Sequence, residues 1–301
     1  MALILANDGI DKSAEKALVE LGHVVDTAKY EGDALLARLA EVDAVIVRSA
    51  TKLRNPEIDA GAAGNLKLII RGGVGVDNIN VDYAKEKGIE VRNTPAASSS
   101  AVAELALGHM LCCARNIGAA NVTMREGKWL KKQYSGTEIA GKTLGLIGFG
   151  RIARSLAEKC KALGMNVIFH TRRQLACEDC DDCEQKSFED VLRESDYISL
   201  HVPFSGGKPF IGKEEFDIMK DGVFIINLAR GGVVDEDALV DAIEAGKVRG
   251  AAIDVFEVEP LENERIRNCD KISMTPHIGA ATAEAQARIG DNIVEIIKER
   301  L

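Results

Sequence analysis

Short apolar runs alternate along the chain with stretches whose apolar positions recur every third or fourth residue, the pattern of strands alternating with amphipathic helices. Leu3-Ile4-Leu5 reads as a buried strand. Asp11 then reads as an N-cap before Ala14, Ala17, Leu18 and Leu21, which share one helix face, and Gly22 ends that helix. Val24-Val25, Ala44 to Val47 and Leu68 to Ile70 continue the strands. The spacing predicts a long helix over Ser98 to Arg115 and a second ending near Gly127. After the polar connection Lys131 to Gly136, six more strands are predicted, at Leu144–Ile147, Val167–Phe169, Tyr197–Leu200, Val223–Ile226, Ala251–Ile253 and Ile272–Met274. Alternation of this kind predicts an α/β fold with parallel sheets covered by helices on both faces. Thr282 to Leu301 reads as one amphipathic helix that packs back on the first half.

A length of 301 residues fits two domains rather than one. With 38 basic and 47 acidic residues the formal charge is -9, which argues against nucleic acid or an anionic membrane as partner. An anionic small molecule must then be caught by local Arg and Lys groups. No segment is apolar for long enough to span a bilayer, and Met1 to Ile10 lacks a basic leader, so neither an anchor nor a signal peptide is expected. Seven cysteines, an odd number in a chain this long, fit a reducing cytoplasm better than a disulfide framework.

Gly148-Phe149-Gly150-Arg151-Ile152-Ala153 matches G-x-G-x-x-G/A between an apolar strand and an Ala- and Leu-rich helix, the context a dinucleotide loop requires. Gly148 permits the tight turn, Gly150 lets backbone approach the pyrophosphate, and Ala153 lets the helix lie close to the sheet. The helix N-terminus then offers N–H groups and a positive dipole end. For NAD an acidic residue is expected at the end of the second strand. The sequence there is His170-Thr171-Arg172-Arg173, with Thr171 at that position and two guanidinium groups suited to a 2′-phosphate. The cofactor is therefore NAD or NADP with a slight lean to NADP, although Glu178, Asp179, Asp181, Asp182 and Glu184 follow closely.

Three later segments carry candidate chemistry: Asn227 to Gly232, Asp254 to Pro260 and Thr275 to Gly279. Each lies at or beyond the carboxyl end of an expected strand, where open α/β sheets bind ligands. Exchange of hydride between a 2-hydroxy acid and a nicotinamide needs a base for the hydroxyl proton, a carboxylate to orient it, and a cation for the substrate. His277, Glu259 and Arg230 have those chemistries.

With these segments the sequence resembles the D-isomer-specific 2-hydroxyacid dehydrogenase family over essentially its whole length. The resemblance implies a flavodoxin-like substrate-binding domain over residues 1–97 and 281–301, and a Rossmann dinucleotide-binding domain over 98–280. It implies His277 as acid/base, Glu259 as its partner, Arg230 as substrate clamp, and Asp254 against the nicotinamide carboxamide. His201, Val202, Pro203 and Ala229 complete the expected cofactor contacts. It also implies a homodimer joined through the helices around residues 98–126.

Val47 to Lys52, Arg71 to Asn78 and Asn93-Thr94-Pro95 are similar to segments of the phosphoglycerate dehydrogenases in that family. This implies 3-phosphoglycerate as substrate and a place in serine biosynthesis. Arg48, with Ser49 and Arg71, would hold the phosphate, and the backbone N–H groups of Val74 and Gly75 the carboxylate. The chain ends at Leu301, so the serine-sensing domain of many such enzymes is not expected. One alternative is a glyoxylate or hydroxypyruvate reductase. Another, of a different class, is a dinucleotide-sensing binding protein like the co-repressors that resemble this family. Cys177, Cys180 and Cys183 stand at intervals of three in an acidic stretch and read as a surface loop open to redox chemistry rather than a metal site.

Overall fold

The computed structural model describes residues 1–301 except Cys177, Asp179, Asp181 and Ser205. The chain divides into two compact units, Met1–Ser99 with Ala280–Leu301, and Ser100–Gly279.

The first unit runs β1 (Leu3–Ala6), α1 (Lys12–Glu20), β2 (Val24–Asp26), α2 (Gly32–Glu41), β3 (Ala44–Val47), α3 (Asn55–Ala62), β4 (Leu68–Arg71), α4 (Val81–Glu86) and β5 (Glu90–Asn93). Its strands lie in the order β2-β1-β3-β4-β5, every neighbouring pair parallel. That is the flavodoxin order. β5, Glu-Val-Arg-Asn, escaped the hydrophobic pattern because it is a half-exposed edge strand with a single apolar residue. Asp11 does cap α1, accepting from Ser13 N–H at 2.9 Å. The sheet's two faces form separate cores. Ile4, Ile46, Leu68 and Ile70 meet α1 and the C-terminal helix, while Leu5, Val45, Val47 and Ile69 meet Leu35, Leu39 and Ile58.

The second unit opens with α5 (Ser99–Arg115) and α6 (Ile117–Arg125). It continues with β6 (Thr143–Ile147), α7 (Arg151–Ala162), β7 (Asn166–His170), β8 (Glu184–Gln185), α8 (Phe188–Glu194), β9 (Tyr197–Leu200), α9 (Lys213–Ile218), β10 (Val223–Asn227), α10 (Glu236–Glu244), β11 (Val248–Ile253), α11 (Glu264–Asn268) and β12 (Ile272–Met274). Its seven-stranded sheet has the order β12-β11-β10-β9-β6-β7-β8. The reversal between β9 and β6 is the topological switch point of a doubly wound dinucleotide fold. Period-two alternation sorts the side chains: Leu144, Leu146, Phe169, Phe224 and Ile226 face α5 and α7, and Ile147, Ile168, Ile198 and Ile225 face the opposite helices. Each such side chain taken from water contributes about 1.5–3 kcal/mol. The chain then returns to the first unit as α12 (Ala283–Arg300), capped by Thr282.

Among the described residues no helix is long and apolar enough to cross a membrane, and no group of three or more His, Cys, Asp or Glu is placed to hold a metal ion. Cys180 and Cys183 are buried rather than on the surface, whereas Cys177 lies outside the described residues.

Candidate active site

The glycine loop leaves β6 under tight constraint. Gly148 has φ +91°, its N–H donates to His170 C=O at 2.8 Å, and a Cβ there would lie 2.5 Å from His201 C=O. Only glycine lets the turn pass the ends of β7 and β9. At Gly150 the reason differs. A Cβ would meet no atom of the described residues within 4 Å, so no packing among them requires glycine there. Gly150 precedes α7 without a side-chain cap, leaving the first-turn N–H groups, including those of Arg151 and Ile152, at the positive end of the helix. Phe149 is only 7% exposed and stacks on Phe169 at 3.8 Å, so it can serve a ligand through its backbone alone.

Beyond β7, the His170 ring faces Lys186 C=O at 3.3 Å, Thr171 is half-buried, and Arg172 and Arg173 are exposed. The side-chain amide of Gln185 shapes this loop, donating to Thr171 and Arg173 carbonyls at 3.4 and 3.1 Å and accepting from Leu175 N–H at 3.0 Å. The sequence gives no sign of that role, because β8 is two residues long and has no hydrophobic pattern. After β9, His201 lies 3.0 Å from Ser199 Oγ, and burial pushes its imidazole down to about 4, so it is neutral at neutral pH. Val202 is half-buried and Pro203 exposed.

At the end of β10 the buried Asn227 shapes the next loop. Its Oδ1 accepts from Ala229 N–H at 3.1 Å and its Nδ2 donates to Arg230 C=O at 3.0 Å. Arg230 Nη1 donates to Ala229 C=O at 2.6 Å. Gly231 lies so close to the next loop that a Cβ would fall 1.8 Å from Phe256 C=O. Gly231 thus lets the Arg230 loop lie against the backbone leading to Glu259, while Gly232, φ +77°, lies against the Phe204 ring. That backbone is braced from below by the buried Glu236, which accepts from Glu257 N–H at 2.8 Å and Asn263 Nδ2 at 3.1 Å. Glu259 accepts from Phe256 N–H at 3.1 Å through one oxygen and lies 2.8 Å from His277 Nδ1 through the other. Burial pushes the Glu259 carboxyl up, but the hydrogen bond and charge of His277, the Phe256 amide and the Arg230 charge together hold it below its ordinary value. Both side chains of the pair are 38% exposed, open enough to meet a substrate.

The loop after β12 holds His277 in a left-handed conformation, φ +53°, which costs a non-glycine residue about 1 kcal/mol. Asp254, 1% exposed at the end of β11, over-determines that loop: Oδ1 accepts from Thr275 Oγ1 (2.6 Å) and Ile278 N–H (2.9 Å), and Oδ2 from Gly279 N–H (2.9 Å). Asp254, expected as a cofactor contact, is thus first an anchor of the His277 loop. Behind Thr275 lies His109 of α5, which sequence reasoning passed over because it falls on the apolar face of a helix among Ala106 and Met110.

In the first unit, Arg48 follows β3. Its backbone N–H donates to Asp8 at 2.7 Å and its C=O accepts from Asn78 Nδ2 at 2.7 Å. Its guanidinium makes no ion pair or side-chain hydrogen bond among the described residues. Asp8 also takes Thr51 N–H at 3.0 Å, Thr51 Oγ1 at 2.6 Å and Lys29 Nζ at 2.7 Å, so it is the fixed point of the Arg48 loop. Ser49 is exposed. Arg71 folds back along its own loop, Nη1 lying 3.4 Å from Gly72 C=O and over Gly73. Val74 C=O accepts from Asn93 Nδ2 at 2.5 Å, and the N–H groups of Val74 and Gly75 have no acceptor among the described residues.

The model of the D-isomer-specific 2-hydroxyacid dehydrogenase NAD-binding domain matches residues 107–279. A hydroxypyruvate reductase of Thermotoga maritima is 47% identical over 301 residues, covering 98% of this chain and 97% of its own. A D-3-phosphoglycerate dehydrogenase of Methanocaldococcus jannaschii is 41% identical over 309 residues, covering all of this chain but only 58% of its own. The chain therefore spans little more than half the length of such phosphoglycerate dehydrogenases. Among solved structures, a glyoxylate reductase of Paecilomyes thermophila is similar with a TM-score of 0.89 and 32% identity, covering 99% of this chain and 94% of its own. The glycine loop, the paired imidazole and carboxylate and these likenesses agree: the chain belongs to the D-isomer-specific 2-hydroxyacid dehydrogenase family.

Proposed function

We propose that the protein exchanges hydride between NAD(P) and a three-carbon D-2-hydroxy acid, with 3-phosphoglycerate as substrate and serine biosynthesis as its place. The observation that carries the reading is the 2.8 Å contact between His277 Nδ1 and Glu259. An ionised Glu259 accepts the Nδ1 proton, which leaves the lone pair on Nε2. In oxidation, neutral His277 takes the C2 hydroxyl proton at Nε2, the C2–H bond breaks with its electron pair, and C2 becomes a ketone. Glu259 stabilises the imidazolium formed, and the Arg230 guanidinium holds the substrate carboxylate as a bidentate fork. The bound nicotinamide supplies the hydride acceptor. Backbone from Gly148 to Ile152 would hold its pyrophosphate, His170 to Arg173 the adenosine ribose, and His201, Val202, Pro203, Ala229 and Asp254 the nicotinamide side.

The phosphorylated substrate is supported by Arg48, whose guanidinium is not engaged by any carboxylate among the described residues. Val74 and Gly75 would grip the carboxylate through backbone N–H groups, with Ser49 and Arg71 beside the phosphate. A second reading, hydroxypyruvate or glyoxylate reduction, is favoured by the hydroxypyruvate reductase relative, which matches over nearly its whole length. Arg48→Ala separates the two. Removing a charged hydrogen-bonding partner is expected to lower kcat/KM with 3-phosphoglycerate by about 10–100-fold and leave glyoxylate within about threefold. If phosphohydroxypyruvate is a poor substrate and Arg48→Ala changes nothing, the second reading stands.

Thr171 and the exposed Arg172 and Arg173 favour NADP over NAD, against the acidic stretch that follows. Arg172→Ala with Arg173→Ala is expected to raise KM for NADPH about tenfold or more and leave NADH little changed. A chain with the preference reversed would refute the NADP reading. Robust turnover on any 2-keto acid would set aside a purely dinucleotide-sensing role. We also place the protein in the cytoplasm as a homodimer, joined through α5 and α6.

A further inference from the structure

α5 turns two polar side chains, His109 and Cys113, toward the sheet one helical turn apart. Cys113 Sγ donates to Ala251 C=O at 3.3 Å, and His109, 5% exposed, lies between two hydroxyls, Ser273 Oγ at 2.9 Å from Nδ1 and Thr275 Oγ1 at 3.0 Å from Nε2. The protons can be assigned by elimination. The Asp254 carboxylate only accepts, so Thr275 Oγ1 spends its hydrogen on Asp254 Oδ1 and turns a lone pair to His109. Nε2 therefore carries the histidine's proton, and Nδ1 accepts from Ser273. Every donor points the same way, from Ser273 through His109 and Thr275 to Asp254, and aligned bonds of this kind polarise one another. Burial favours the neutral ring this arrangement needs, against the opposing pull of Asp254. The chain ends on the carboxylate that also holds Ile278 and Gly279, so the residues flanking His277 on both sides are tied to it.

We infer that His109 is a positioning residue of the active site, acting through Thr275 and Asp254 to fix the strained loop that presents His277. The inference rests on His277 being the acid/base residue. Its test compares the whole protein with His109→Leu, which removes the donor, His109→Gln, which retains one at a similar reach, and Thr275→Val, which cuts the same link from the other side. On whichever of phosphohydroxypyruvate and hydroxypyruvate the wild type reduces faster, His109→Leu and Thr275→Val are expected to lower kcat about tenfold with substrate KM within about twofold, and His109→Gln to recover most of it. Amide hydrogen exchange at Ile278 and Gly279 should quicken in the first two variants and not in the third. Unchanged kcat and exchange in both His109→Leu and Thr275→Val would overturn the inference, as would His109→Gln being as impaired as His109→Leu. A wild-type protein without turnover would defeat the reading of His277 itself, whereas the exchange measurement tests the link without turnover.

Discussion

His277 combines a left-handed backbone, a carboxylate at 2.8 Å and a loop fastened on both sides to Asp254. Strain of about 1 kcal/mol persists at a residue only where its surroundings over-determine it. Glu259 is held below its ordinary value of 4.5, so it remains ionised throughout the neutral range and its pairing is lost only as pH falls below that value. Above it, one proton on His277 decides direction. Oxidation releases a proton and reduction consumes one, so oxidation should gain and reduction should lose rate as pH rises, and pH–rate profiles in both directions check this. Two profiles of the same slope would contradict it. Residue chemistry at strand ends singled out His277, Glu259 and Arg230 in the sequence, and the fold brings the first two to 2.8 Å. Gln185, Glu236 and His109 were not, since each acts through partners brought near only by the fold.

At the scale of elements, glycines set how closely loops and helices approach. Gly231→Ala would place a methyl 1.8 Å from Phe256 C=O. It is expected to destabilise the second unit by about 1–3 kcal/mol and to move the Arg230 loop, lowering both the melting temperature and kcat/KM. Unchanged values would mean that the loops yield easily. In the first unit, a Cβ at Gly290 of α12 would come 2.8 Å from Ala14 Cβ of α1. Gly290→Ala should cost a similar amount in urea unfolding, with no effect on dinucleotide affinity. The buried strands β3, β4, β6, β9 and β10 were plain from sequence because both faces are covered and they read as continuous apolar runs. β5 and β8 were not, because edge strands need no such run.

For the whole molecule, two doubly wound sheets carry separate cores; alternation along the sequence predicted parallel sheets, and the order of their strands is set by the fold. Asp8 ties β1 to the Arg48 loop and, despite burial pushing it up, is held below 3.8 by Lys29, Thr51 and the Arg48 amide. Its stabilising contribution is therefore complete above that value and fades as pH falls below it. Asp8→Asn should make thermal stability less dependent on pH in the acid range, and an unaltered acid slope would contradict this. Association was not legible from periodicity. The exposed Ile117, Val122 and Met124 on α6 make the proposed dimer testable by light scattering, with an expected mass about twice 32.4 kDa that Val122→Lys should halve.

The most direct test of the central claim is the pre-steady-state rate of hydride transfer in His277→Ala beside the wild type, with dinucleotide affinity measured on the same samples. Loss of the acid/base group is expected to slow transfer by about 10²–10⁴-fold while affinity stays within about threefold. A variant that transferred hydride at the wild-type rate would show that His277 moves no proton in the reaction.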